Sequence, residues 1–279
     1  MASQDALTGW DDLANAEAYE AFTRTFPMYD ITSRDLARRA RLETAELVVD
    51  LCGGAGATAR ALLDLLPARA RVVSVDAAAA MQEVGRRTLT DPRLRWITAP
   101  AEQLGDHLAP GSVDAVVCNS ALWKTDTPAV CDAAARVLRP HGRFVFNIGG
   151  GFAGVRHPDE ETSARPSLNA LIRHVAETDH GPLPPPPGPK EPKLPLETIT
   201  RQLNAAGLHV IDAEVTAQHS TMAEKKAWLS IPLFARPEGD FTHEQRMRIL
   251  NDAYARTTPD ARTVTSWLVI TAERQKAAT

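Results

Sequence analysis

Leu47-Val48-Val49-Asp50-Leu51-Cys52-Gly53-Gly54-Ala55-Gly56 is a short apolar run that reaches an acid and then opens into glycines. The run reads as a buried parallel strand feeding a tight turn, and Ala57-Thr58-Ala59-Arg60-Ala61-Leu62-Leu63 continues it with helical composition. Strand, glycine turn and helix together make a ligand cradle. Glycine lets the backbone approach a bound molecule closely, and the helix N-terminus offers unpaired N–H groups.

Working outward, Arg71-Val72-Val73-Ser74-Val75-Asp76 repeats the design, a β-branched run ending in an acid. Asp76 lies 20 residues beyond Gly56, a position suited to accepting hydrogen bonds from both hydroxyls of a ribose. Further strands are expected at Leu94 to Thr98, Val113 to Asn119 and Arg143 to Ile148, with helices between them. Two more strands, at 208–215 and 264–271, close the pattern. Strands alternating with helices through residue 148 predict an α/β fold: a Rossmann-like, seven-stranded, mostly parallel, doubly wound sheet with helices on both faces. Ser33 is expected to cap a helix running to Leu42, after a first helix from Ala14 to Thr25. Thr127 is the expected cap of the helix that opens with Pro128.

The chain has 279 residues, 44% of them hydrophobic, and a formal charge of −4. That balance, without a long Lys/Arg run, argues against a constitutive nucleic-acid binder and favours a small-molecule partner. No apolar run approaches the roughly 18 residues that cross a membrane. Cys52, Cys118 and Cys131 show no metal-ligand spacing and read as free thiols, so no metal site is expected and a cytoplasmic location is.

In an open α/β sheet, ligands bind outside the carboxyl ends of the strands, where the winding reverses. Four tips carry suggestive residues: the glycine turn, Asp76, Ala101-Glu102 and Asn119-Ser120. Together they describe a nucleoside site. A nicotinamide dehydrogenase is the rival reading, because Gly54-Ala55-Gly56-Ala57-Thr58-Ala59 also meets the dinucleotide pattern.

From Leu47 to Ile148 the chain resembles the class I S-adenosylmethionine-dependent methyltransferases. Asp50, Gly54 and Gly56 match the family's first motif, with Cys52 in the first glycine's place, which hints at a turn needing less backbone freedom there. The resemblance implies that S-adenosyl-L-methionine is the cofactor. It implies that Asp50 orients the turn and the methionine amino group, that Cys52, Gly53, Gly54 and Gly56 pass beneath the cofactor, and that Asp76 and Ala77 hold the ribose end. Met81 would pack on the adenine, with Ala101 and Glu102 on its other side, although Pro100 replaces the aspartate usual before that alanine. Asn119 and Ser120 resemble the fourth-strand tip beside the transferred methyl, and Leu138-Arg139-Pro140-His141-Gly142 the family's approach to strand five.

On this reading residues 1–279 form one domain: a helical flap at 1–44, a cofactor-binding core at 45–148, and acceptor-covering inserts at 149–207 and 216–262. The first insert contains a proline-rich stretch, 182–195, expected to be an extended surface loop, and the second an amphipathic stretch from Ala223 to Phe234 and a helix near His243 to Arg256. The fourth-strand tip of adenine methylation, the Pro-Cys nucleophile of cytosine methylation and the paired-glutamate hairpin of arginine methylation are lacking, which leaves a small-molecule acceptor in specialised bacterial metabolism, with N, O and C acceptors open and a homodimer one open assembly. Tyr29 and His157 are the candidates for proton removal, and Tyr19, Trp123, Lys124, Arg156 and His219 for acceptor contact. A methyltransferase fold that cyclises or decarboxylates its substrate, or only binds the cofactor, is the alternative.

Overall fold

A computed structural model of the chain describes residues 9–161, 166–185, 191–258 and 261–276. Seven strands, β1 (Leu47–Leu51), β2 (Arg71–Asp76), β3 (Leu94–Thr98), β4 (Val113–Cys118), β5 (Leu138–Gly149), β6 (Leu208–Thr221) and β7 (Arg262–Arg274), form one sheet. Their order is β3-β2-β1-β4-β5-β7-β6. β1 to β5 run parallel, while β7 lies antiparallel between β5 and β6 instead of at an edge. The winding reverses between β1 and β4, which places the ligand crevice at their carboxyl ends.

The period-two alternation of strand side chains divides the interior into two cores. Val49, Val73, Val116, Phe144 and Phe146 pack on one face with the helices Thr127–Val137 and Leu196–Ala205. Val48, Val72, Ala115, Val117 and Val145 face the other way, against Leu36 of the helix Met28–Arg39 and Leu62 of the helix Ala57–Leu65. A satellite core joins the helices Leu168–His180, Met222–Ser230 and His243–Ala255 from the two inserts. Among the described residues, no helix is long and apolar enough to cross a membrane.

Several expected boundaries move. The second flap helix begins at Met28, so Ser33 lies inside it and shares a 2.9 Å hydrogen bond with Thr58 Oγ1 instead of capping. Asp126, not Thr127, caps the helix before the fifth strand, accepting from Ala129 N–H. β5 starts at Leu138, five residues early. β6 and β7 pair as far as Thr221 with Arg262, which shortens the second insert to 222–261. Its first helix stops at Ser230, because Pro232 opens a separate turn of 3-10 helix, Pro232–Phe234. Of the proline-rich stretch, residues 186–190 lie outside the described residues; 182–185 and 191–195 are neither helix nor strand.

Candidate active site

The turn after β1 is built around a buried acid. Asp50 is fully enclosed; its Oδ2 accepts from Ala59 N–H at 3.0 Å and from Ser74 Oγ at 3.5 Å, tying turn, helix and neighbouring strand together. A Cβ on Gly53 would collide with both Asp50 Oδ2 and Ser74 Oγ, so only glycine lets the chain pass this close. Burial lifts the Asp50 carboxyl to about 7. Gly54 N–H and Ala78 N–H each donate to Asp76 at 2.8 Å, fixing the β2 tip to the turn. Cys52 corrects the expectation of a relaxed turn: its φ is 55°, in the left-handed region that costs a side-chain-bearing residue about 1–2 kcal/mol.

Above this turn lies a cavity of about 600 Å³, within the range of small-molecule sites. Cys52, Gly53, Gly54, Asp76, Ala77, Met81, Ala101, Glu102, Asn119 and Ser120 line it, as do Tyr19, Tyr29, Trp123 and Lys124. Asp50 and Gly56 do not. Asp50 braces the turn from behind, and Gly56, at φ 89°, starts the helix, where a Cβ would stand 2.6 Å from Trp96 Cη2.

Three expected residues lie away from the cavity. His157 and His219 instead gather on Asp159: His219 Nε2 lies 3.0 Å from its Oδ2, and His157 Nδ1 accepts from its N–H at 3.2 Å. Arg156 is exposed. Arg156 and His157 lie in the first insert, which is held against β7 where His157 N–H donates to Ser266 Oγ at 2.8 Å, whereas His219 lies in β6 itself.

The cavity wall includes unpartnered acceptors. Glu102 uses Oε1 to receive Asp126 N–H at 2.8 Å, leaving Oε2 buried without a hydrogen bond. Asn119 spends its amide N–H groups on Thr32 Oγ1 and Ser33 Oγ, at 2.9 and 3.0 Å, so its Oδ1 is buried and unpaired as well. Buried polar atoms ordinarily find partners. Acceptors of this kind, together with Asp76, suit a ligand rich in donors, and S-adenosyl-L-methionine presents ribose hydroxyls, an adenine amino group and an ammonium. The acceptor set and the Gly53 passage both fit that cofactor.

Beyond the cradle the wall becomes aromatic and cationic. Trp10, Phe152, Trp228 and Phe234 line it alongside Lys193 and Arg236, none of them anticipated from sequence. Trp123 and Phe152 stack with centroids 3.7 Å apart. Lys124 Nζ sits 4.2 Å from the Trp10 ring centroid, a cation–π distance, and burial lowers its ammonium to about 8. Tyr19 and Tyr29 meet edge-on at 5.0 Å, and burial raises both phenols. Tyr29 is therefore a neutral phenol near pH 7, suited to donating a hydrogen bond and not to removing a proton.

Comparison with known proteins places this geometry. Residues 48–142 match the methyltransferase-domain family. A trans-aconitate 2-methyltransferase of Azoarcus sp. is 33% identical over 140 residues, half of each chain. A ubiquinone/menaquinone biosynthesis C-methyltransferase of Coxiella burnetii is 33% identical over 113 residues, 39% of this chain and 44% of its own. The chain thus spans about half the length of the curated relatives it matches. Among solved structures, the Haloferax volcanii complex of the Trm112 methyltransferase activator with its methyltransferase partner aligns at TM-score 0.58 and 18% identity, over 99% of each chain. The [4+2]-cyclase SpnF aligns at 0.55 and 13%, over 88% of this chain and 81% of its own. The fold is that of the class I methyltransferases. The segment 48–142 matches the methyltransferase-domain family, and the cofactor of that class is S-adenosyl-L-methionine.

Proposed function

We propose that the protein transfers a methyl group from S-adenosyl-L-methionine to a small-molecule acceptor held in the aromatic half of the cavity. One observation carries this reading: a single cavity joins the Asp76, Glu102 and Asn119 acceptors to an aromatic chamber roofed by the N-terminal flap and the second insert. When bound, the cofactor supplies a sulfonium-activated methyl, already electrophilic. The chain's task is then alignment and exclusion of water, and alignment alone is worth up to roughly 7–11 kcal/mol in favourable cases. Asp76 and Glu102 anchor the cofactor's polar end. Trp10, Trp228 and Phe234 close the opposite end, and the Tyr29 hydroxyl orients the acceptor by donating a hydrogen bond. The enclosure favours a compact metabolite over a polymer.

Fold alone does not fix the reaction, since a cyclase shares it. Incubation with methyl-tritiated cofactor and metabolite fractions decides the matter. Label appearing in a small organic product, together with S-adenosylhomocysteine, is the expected result. Cofactor binding with no transfer to any fraction would speak for a cyclising or binding role.

A further inference from the structure

The acceptor half of the cavity has an unusual composition. Three of the chain's five tryptophans and two of its three tyrosines line it, in a sequence only 5% aromatic. Such a wall takes a flat, apolar ring, which gains both burial and face or edge contacts.

Its charge is just as uneven. Lys124 is deep in the cavity, and its ammonium faces Cys52, Asp76, Lys193 and Cys118. Lys193 stands exposed at the rim, its Nζ 4.7 Å from the Trp123 ring centroid, while Lys124 Nζ is 5.2 Å from the same centroid. Among the described residues, neither ammonium forms an ion pair with a carboxylate. Arg236, the third cation of the wall, is already paired with Glu238 at 3.0 Å. Two like charges over one indole repel each other, and the desolvated Lys124 ammonium has the Asp76 charge nearby but no direct ion pair with it. A bound anion relieves both penalties. A cationic amine would worsen them, so the same arrangement rejects it.

We propose that the acceptor is an aromatic carboxylate, its ring held by the aromatic wall and its carboxylate received by Lys124 and Lys193. The inference rests on the methyl-transfer reading above and narrows its acceptor. Lys124 keeps its charge near neutral pH, because its ammonium titrates at about 8.

The test is calorimetric titration of the S-adenosylhomocysteine-loaded protein with 2-naphthoate, 2-naphthamide and 2-naphthyl phosphate. The acid should bind at least about tenfold more tightly than the neutral amide, which has the same ring and nearly the same shape, as a charge-assisted contact predicts. Lys124→Met retains the apolar stem and should cut that preference to under about threefold, with Lys193→Met causing a smaller loss. Affinity for S-adenosylhomocysteine, measured on each variant first, reports that the cradle is folded. Equal binding of acid and amide, binding of neither, tighter binding of the phosphate, or a preference surviving both substitutions would overturn the inference while leaving methyl transfer standing. Failure of the unaltered protein to bind S-adenosylhomocysteine would instead remove the methyl-transfer reading, and this inference with it.

Discussion

The Asp76 carboxylate accepts the Gly54 N–H at 2.8 Å, so the tip of β2 holds the turn that follows β1. The same carboxylate lines the cavity, so besides shaping the cradle it is the group proposed to receive the cofactor's ribose. Asp76→Ala should weaken S-adenosylhomocysteine by about 1–3 kcal/mol, as loss of charged hydrogen bonds predicts. Asp76→Asn, which preserves shape and one acceptor, should lose less. Calorimetry on the two variants checks the order, and an unchanged affinity for Asp76→Ala would exclude the ribose role.

A second prediction concerns the narrow passage at Gly53. The Cβ of Gly53→Ala would strike Asp50 and Ser74, both buried, so the turn must shift. Overpacking of this kind costs about 1–3 kcal/mol. Gly151→Ala is the matched control, because nothing lies within 4 Å of the added methyl. Thermal unfolding should show a clear fall in Tm for the first and little change for the second.

Much of the cradle was legible before any coordinates. Short, largely apolar runs mark the middles of β1, β2 and β4, because strands covered on both faces read as near-continuous apolar runs. The outer end of β6 was hidden, because Thr216-Ala217-Gln218-His219-Ser220-Thr221 is polar and its buried side chains, Gln218 and Ser220, give no apolar alternation. The acceptor wall was harder still. Trp10, Lys193 and Trp228 come from three distant segments, and no local period marks residues that meet only through tertiary packing. Aromatic scarcity was the available signal: Trp228 and Phe234 sit in an amphipathic segment whose large side chains invite attention. His157 misled because a loop histidine after the fifth strand is near the site in sequence order, while Ser266 holds its backbone elsewhere.

The buried Asp50 sets a pH dependence. Its folded carboxyl keeps its proton up to about 7, whereas an unfolded one releases it near 4. Over that window the folded state binds more protons, so this group's contribution makes stability fall as pH rises and level off above about 7. The size is on the order of 2–4 kcal/mol. Asp50→Asn should remove the slope, as judged from urea midpoints of the cofactor-free protein at pH 5 and pH 8. An identical slope in variant and parent would assign it to other groups.

Tyr29 supplies a contrast in kinetics. As a neutral phenol proposed to orient the acceptor, it should tolerate Tyr29→Phe with a loss of under about tenfold in kcat. Removal of a general base typically costs 10²–10⁴-fold. Single-turnover methyl transfer to the acceptor found by the tritium screen separates the two, and a loss in the larger range would restore Tyr29 as the base.

The central claim is that the β1 turn, Asp76, Glu102 and Asn119 form a cradle for a nucleoside sulfonium and not for a dinucleotide. Isothermal titration of the purified chain with S-adenosylhomocysteine and, separately, with NAD tests it most directly. One-to-one binding of S-adenosylhomocysteine with no heat from NAD is the predicted result; binding of NAD in the absence of any for S-adenosylhomocysteine would contradict it.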